Sequence, residues 1–411
     1  MSGQDITAVL GVWEGYRIGT VGRFEAGEKG STAEVWIELL PDPRHSMVCG
    51  GCGQVVTQVH ETTQRWIRDL PILDAQTHLL VHRRRVVCPR CGPKLEALGW
   101  LGRYQRVTQR LAENVARLCK ILPVKHVAKY FGLNRKTVRR IDKTYLQQTL
   151  GPPDLSDLEV IGMDEFAIQK GHRYATVIVE PTRKEVLWVG RGRGRKDIRP
   201  FFELLGEEGC NRLRAVVMDM NPAYEEEVRA QCRNAEIVYD LFHVVAKYGR
   251  EVVDRVRVDE AKRLRGDKKA RKLIKSSRWL LLRNAENIRK EEDRVRLSEL
   301  LAANKALATV YVLKDDLKHL WDYWHKGYAT KFWEQWYSRA MSSRIEPLKD
   351  FARRLKEHLP GILSHCRWRL HTSLLEGINN KIKVIKRMAY GYRDDEYFFL
   401  KIRQAFPGIG P

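Results

Sequence analysis

The sequence predicts a multidomain α/β protein, and three observations carry that prediction. Two Cys-x-x-Cys pairs, Cys49/Cys52 and Cys88/Cys91, enclose a stretch whose apolar residues alternate. A basic segment with helical periodicity follows over residues 99–151. From about residue 157 the pattern changes to short apolar runs separated by amphipathic stretches, the mark of buried strands and covering helices. The chain has 411 residues, 43% of them hydrophobic, enough for more than one core. It carries 74 Lys and Arg against 51 Asp and Glu, a formal net charge of +23. Such a balance calls for a polyanionic partner, nucleic acid first. No apolar run is long enough to span a bilayer, so no membrane partner is expected. The start, MSGQDITAVLGVWEG, lacks a basic stretch followed by an apolar one, so no secretory signal is expected.

The first element is a metal ribbon within residues 1–98. A Cys-x-x-Cys turn lets two thiolates reach one tetrahedral ion, and Gly53 and Gly92 let the backbone fold around it. Two such pairs make a four-thiolate site for a structural Zn2+ on Cys49, Cys52, Cys88 and Cys91. The long gap between them must form a small sheet, and His78–Val87 alternates suitably for its return strand. A disulfide framework or a redox pair are the competing readings. An intracellular basic protein speaks against the first, and two pairs without an adjacent βαβ unit against the second. Cys119, Cys210, Cys232 and Cys366 stand alone and read as small buried apolar residues.

Residues 99–151 hold twelve Lys and Arg against Glu113 and Asp142, a net +10. Within them, Pro123 to Ile141 reads as two helices around a tight turn. Pro123 suits the first helical position, and Val127, Ala128 and Phe131 form an inner face. Gly132 permits a left-handed turn, Asn134 caps the second helix, and Val138 and Ile141 pack it down. Arg135, Lys136, Arg139, Arg140 and Lys143 then point outward, as a recognition helix offers cations to phosphates and base edges. A plain helical hairpin has no need of that charge. A helix over about Tyr104–Leu122 completes the bundle, with Val107, Leu111, Val115, Leu118 and Leu122 on one face.

The next elements are strands at Leu158–Met163, Arg173–Glu180, Glu185–Gly190, Leu213–Met218 and Ile237–Tyr239, with helices after the third and fourth. This β-β-β-α-β-α-β order fits a ribonuclease-H-like mixed sheet. Asp164 and Asp219 each follow a buried run and are expected at strand ends. Asn221-Pro222 already supplies a cap and first helical residue, leaving Asp219 no capping role. Adjacent carboxylates repel unless a cation lies between them, and a third makes an oxygen-rich site for two Mg2+ ions, or Mn2+ in their place. Glu376 is the best third candidate. On a helical wheel it shares a stripe with Asn380, Lys383 and Arg387, opposite Leu375, Ile378, Ile382 and Ile385. Ser373-x-x-Glu376 also fits a capping box, and spacing alone leaves both readings open.

With these residues in view, the chain resembles the ISL-three family of bacterial insertion-sequence transposases. The resemblance rests on the paired-cysteine ribbon, the helix-turn-helix, GMDEFAIQKGHRYATVIV, VVMDMNPAY, YDLFHVV and LLEGINNKIKVIKRMAYGYRDDEYFFLKIR. It implies a DDE transposase whose ribonuclease-H-like catalytic domain (157–245 and 366–411) is interrupted by an all-helical insertion (246–365). It places the catalytic, Mg2+-binding triad on Asp164, Asp219 and Glu376, and Asp240 and His243 in an auxiliary block beside it. The implied activity is cleavage at the element's terminal inverted repeats and strand transfer into target DNA. The implied partners are double-stranded DNA and a homodimer or higher oligomer on it, in the bacterial cytoplasm at the nucleoid. Trp321, Trp324, Phe332, Trp333 and Trp336 of the insertion read as core. Two other functions compete: a non-enzymatic DNA-binding regulator, and a nuclease that cuts without joining. Residues 262–278 hold nine bases against Asp267, a net +8, so a second basic surface is expected besides residues 99–151, one to hold flanking or partner DNA.

Overall fold

Alternating apolar residues build the first sheet. The computed structural model describes residues 13–25, 32–102, 104–169, 171, 173–283, 285–370 and 373–408, so Arg103 and the His371-Thr372 pair lie outside it. The chain divides into two units, residues 1–151 with 386–401, and 152–385 with 402–411.

In the first unit the strands are β1 (Tyr16–Phe24), β2 (Glu34–Pro41), β3 (Met47–Val48), β4 (Val55–Val56), β5 (Val59–Ile72), β6 (Ala75–Cys88) and β7 (Gly92–Leu95). The sheet runs β1-β2-β6-β5, with β7 also on β6. Only the β2–β6 pairing is parallel there. Val35, Ile37 and Leu39 of β2 and Ala75, Leu79 and Val81 of β6 share one face, packed with Trp13, Tyr16, Ile67 and Leu101. The fully buried Asp69 ties this sheet to the helices. It accepts from Trp13 Nε1 (3.0 Å), Thr108 Oγ1 (2.5 Å) and the Arg110 guanidinium. A buried carboxylate with this many donors is satisfied; removing them would leave a charge costing about 3–5 kcal/mol.

Three helices follow: α1 (Gln109–Cys119), α2 (Val124–Phe131) and α3 (Arg135–Thr149). Their core is Val107, Leu111, Val115, Val127, Ala128, Phe131, Val138 and Ile141. Gly132 is left-handed (φ 60°), and a Cβ there would strike the Gln76 side chain. Asn134 Oδ1 accepts from the Lys136 amide at 2.8 Å, the expected cap. Two details differ from the sequence reading. Helix α1 is shorter than 104–122, because Thr108 caps its start and Pro123 lies just past its end, leaving Leu122 exposed. Pro123 is the N-cap of α2, not its first helical residue.

Residues 386–401 pack in this unit too, whereas the sequence reading kept 366–411 together with the catalytic domain. The cause is Asp142, on the inner face of α3 beside Val138 and Ile141 and fully buried. It accepts from Tyr397 Oη (2.5 Å) and Lys401 Nζ (3.1 Å), and Lys401 also reaches the Cys119 carbonyl (2.8 Å).

The second unit holds β8 (Val160–Gln169), β9 (Arg173–Glu180), β10 (Glu185–Arg191), α4 (Arg195–Arg212), β11 (Ala215–Met218), α5 (Pro222–Gln231) and β12 (Glu236–Tyr239). They form a mixed sheet in the order β10-β9-β8-β11-β12. The first three strands are antiparallel neighbours; β8, β11 and β12 are parallel. From Leu241 to Cys366 the described regular structure is helical only: α6 (Leu241–Tyr248), α7 (Asp254–Arg263), α8 (Lys268–Ser276), α9 (Arg278–Leu282), α10 (Glu291–Ala303), α11 (Lys305–Lys318), α12 (Lys326–Ser342), α13 (Glu346–Glu357) and α14 (Leu359–Leu363), with short turns between. Then come α15 (Ser373–Met388), whose residues from Lys386 on belong to the first unit, and α16 (Asp395–Ala405), which belongs to it as far as Lys401. One apolar core joins sheet to helices, from Ile161, Met163 and Met218 through Tyr248 to Leu313 and Phe351. Trp333 and Trp336 stack within it at 5.3 Å, and Trp321 and Phe332 pack at its edge. Trp324 departs from the expected core role. It sits in the bend before α12, where no helix face turns it inward; it is 68% exposed, with the Arg369 guanidinium over its ring.

Candidate active site and metal centre

Asp164 and Asp219 emerge where β8 and β11 part. Strand β11 pairs with β8 only as far as Gly162, whereas the β8–β9 hairpin continues to Gln169. Asp164 is therefore not at a strand end, as its sequence context suggested, but within a strand that outruns its parallel neighbour. Asp219 follows β11 directly, and Asn221 caps α5 by accepting from the Ala223 amide, with Pro222 first in the helix. Asp219 thus has no capping role, as expected.

Burial raises the pKa of both carboxyls, taking Asp164 up to about 6. Asp164 Oδ1 accepts from the Glu165 amide (2.7 Å), and Oδ2 from Asn379 Nδ2 (2.6 Å). Asp219 Oδ1 is buried with no hydrogen-bond partner among the described residues. Asp240 caps α6 through the Phe242 amide (2.8 Å), and its other oxygen meets His243 Nδ1 (3.1 Å). His243 Nε2 lies 3.8 Å from Asp164. Burial pulls the imidazole down, but the Asp240 hydrogen bond and the charges of Asp164, Asp240 and Asp219 outweigh it, and the pKa reaches about 9. Asp240 is thus both the cap of α6 and the partner of the His243 ring.

Helix α15 lies against this cluster. Gly162 makes room for it: a Cβ there would come within 3.2 Å of Leu375. Leu375, Ile378 and Ile382 are buried, while Glu376, Asn380, Lys383 and Arg387 are exposed, as the helical wheel predicted. The amide that reaches Asp164 is Asn379, which sequence reasoning passed over; Asn380 accepts from Lys383 at 3.2 Å instead. Glu376 stands one turn before Asn379, but Asp164, Asp219 and Glu376 do not bring their oxygens within 4.8 Å of one another. The Ser373 side chain, on which the capping-box reading depends, lies outside the described residues. Glu165 is a further acid beside the pair; it holds Arg193 at 2.9 Å and its charge acts on Asp219. Buried carboxylates with raised pKa values and an orphaned oxygen suit a hard divalent cation better than water.

Cys49, Cys52, Cys88 and Cys91 converge, their sulfurs all within 4.8 Å of one another. The β3–β4 hairpin presents the first pair, and the end of β6 with the turn into β7 presents the second. Gly53 (φ 74°) and Gly92 (φ 67°) are left-handed, as the knuckle requires. The Gly51 amide points at Cys49 Sγ (3.4 Å) and brings that thiol down to about 7. Hydrogen bonding to Cys52, burial and neighbouring sulfur charge push Cys91 up to about 12. Four such sulfurs cannot all ionise without a cation, so the residues fit structural zinc. One zinc per chain is expected by absorption spectroscopy, and chelation should open residues 45–95 to proteolysis. A metal-free protein with the same protease resistance would remove zinc from the ribbon.

On α3, Arg135, Lys136, Arg139 and Arg140 are exposed. Lys143 is engaged within the protein: it pairs with Asp394 (2.9 Å) and Glu396 (2.8 Å). Its place one turn beyond Arg139 puts it against the segment that also satisfies Asp142. No helix among the described residues is long and apolar enough to cross a membrane.

Comparison with known proteins agrees along the chain. Residues 161–402 match a transposase family of the ISL3, DDE group. Residues 96–146 match the helix-turn-helix domain of transposase family ISL3, and 45–91 the zinc-finger of transposase IS204/IS1001/IS1096/IS1165. The transposase for insertion sequence element IS1001 of Bordetella parapertussis is 54% identical over 400 residues, 97% of each chain. The transposase for insertion sequence element IS1557 of Mycobacterium tuberculosis is 26% identical over 399 residues, 91% of this chain and 88% of the relative.

Proposed function

The chain belongs to the ISL3 family of transposases, and on that premise we propose that it cuts and joins DNA by metal-assisted phosphoryl transfer at Asp164, Asp219 and Glu376. The observation that carries this is Asp219 Oδ1, buried without a partner among the described residues, beside a second buried carboxylate. The strand order β10-β9-β8-β11-β12 supports a ribonuclease-H-like catalytic domain over 157–245 and 366–411, with 246–365 as a helical insertion. Residues 1–98 supply the zinc ribbon and 99–151 the DNA-reading helices.

Two Mg2+ ions, or Mn2+, held by these carboxylates would activate the attacking hydroxyl and stabilise the leaving oxygen of an in-line displacement. The chain's own residues prepare that chemistry. The Glu165 amide and Asn379 fix both oxygens of Asp164. Asp240 orients the His243 ring toward Asp164. Glu376 supplies the third carboxylate, and Lys383 and Arg387 on the same exposed stripe approach the DNA backbone. Arg135, Lys136, Arg139 and Arg140 bind the terminal inverted repeat, on a homodimer or larger assembly, in the cytoplasm at the nucleoid.

The test is strand transfer from a pre-cleaved element end into plasmid DNA in the presence of Mg2+. Joined product is expected from the natural chain, and none from Asp164→Ala despite unchanged end binding. Cleavage without joining would favour a nuclease; end binding alone would favour a regulator.

A further inference from the structure

The catalytic reading leaves α8 unused, although it carries the densest positive charge in the second unit. Residues 262–278 hold nine bases, and three of these are paired: Lys262 with Asp259 (3.7 Å), Arg263 with Glu260 (2.9 Å) and Arg278 with Asp254 (3.4 Å). The one acid of the stretch, Asp267, is spent on capping α8 through the Lys269 and Ala270 amides (2.9 and 3.0 Å). Lys268, Arg271, Lys272 and Lys275 have no carboxylate partner among the described residues, and with Ser276 they line one open groove.

Their spacing puts all four on a single helix face, where neighbours three and four apart repel one another. Lys268 and Lys269 also stand in the first turn, where the helix dipole disfavours cations. Arg271 Nε is buried and has no hydrogen-bond partner among the described residues. The helix is nevertheless held firmly. Ile274 is buried, Arg257 donates to the Lys275 carbonyl (3.0 Å), and Ser277 Oγ to that of Ile274 (2.7 Å). A fixed stripe of mutually repelling cations with no carboxylate partner among the described residues favours an external polyanion. At 1.5 Å per residue, Lys268 to Lys275 spans about 10 Å, close to three phosphate-to-phosphate steps at ~3.4 Å of rise along one DNA strand. The helix, KKARKLIKS, offers no Asn or Gln for adenine, and the row of cations on its groove face matches the spacing of phosphates.

We propose that this face of α8 is a second DNA-binding surface, one that grips duplex phosphates without reading sequence and belongs to the unit that carries the carboxylates. The identity of the polyanion rests on the transposase reading; the surface itself does not need strand transfer to be tested. The experiment compares the full-length chain with Lys268→Gln/Lys272→Gln/Lys275→Gln and with an equal charge loss at exposed sites elsewhere, Lys290→Gln/Lys305→Gln/Lys331→Gln. Affinity for end-bearing and for random duplexes is measured by fluorescence anisotropy across a salt series. Each phosphate contact contributes about 0.9 to the slope of log affinity against log salt, so the α8 variant should lose about 2 to 3 from that slope. It should lose the same factor in affinity for both duplexes, while the control loses less than about 1 from the slope. Equal slopes for the two variants, or a loss confined to end-bearing DNA, would overturn the proposal. Failure of strand transfer in the natural chain would count against the catalytic reading and leave this comparison standing.

Discussion

Asp219→Asn should abolish strand cleavage and strand transfer, by on the order of a thousandfold or more, and leave the protein at least as stable as before. The two halves of that expectation have one cause. Asp219 is buried, burial raises its pKa, and Oδ1 has no hydrogen-bond partner among the described residues. Nor does it cap α5, which Asn221 does. A carboxylate so placed costs stability in the folded chain, and an isosteric amide relieves that cost without disturbing packing. Asp164 offers a less clean experiment, because its Oδ2 accepts from Asn379 and an amide there would meet another amide. Urea unfolding and a cleavage assay on one preparation decide the matter. A destabilised Asp219→Asn chain that still cuts DNA would make Asp219 a structural residue and remove the metal site.

Much of this site was legible because period and punctuation are local. The run Leu213–Met218 ends where its apolar residues end, and Asn221-Pro222 starts the next helix, so Asp219 could be placed from sequence alone. Asp164 was placed less well. The run through Met163 looked complete, but the hairpin with β9 extends β8 to Gln169, and a partner strand's reach is not written in the strand itself. The wheel of α15 found its outward stripe and its core face. It did not distinguish Asn379 from Asn380, since azimuth on a helix says nothing of what stands opposite. The four-cysteine site was readable because Cys-x-x-Cys and its glycines carry their own geometry. The engagement of Lys143 with Asp394 and Glu396 was not readable, for those acids lie some 250 residues away in the chain.

That long-range docking leads to the second large effect. Lys401→Ala in the full chain should destabilise the first unit by about 3–5 kcal/mol, since it leaves the buried Asp142 carboxylate short of its cationic partner. Burial already pushes Asp142 up; the Lys401 charge and the Tyr397 hydroxyl pull it back down. Without them the acid either stays charged at that cost or takes a proton and gives up the ion pair. The double change Asp142→Leu/Lys401→Leu removes charge and partner together and should recover most of the loss, as neutral replacement of a buried ion pair generally does. Unfolding followed by tryptophan fluorescence, with DNA binding on the same samples, measures both. The same reasoning applies to a fragment ending at residue 151, which lacks Tyr397, Lys401 and the acids that hold Lys143. It should melt well below the full chain and bind DNA poorly, although every residue of the helix-turn-helix is present. A fragment of that length with native stability and affinity would show that residues 386–401 merely rest against α3. If instead it fails, the recognition helix depends for its fold on the segment that directly follows α15. A regulator made only of the ribbon and helix-turn-helix would then lack the partner that keeps its reading helix in place.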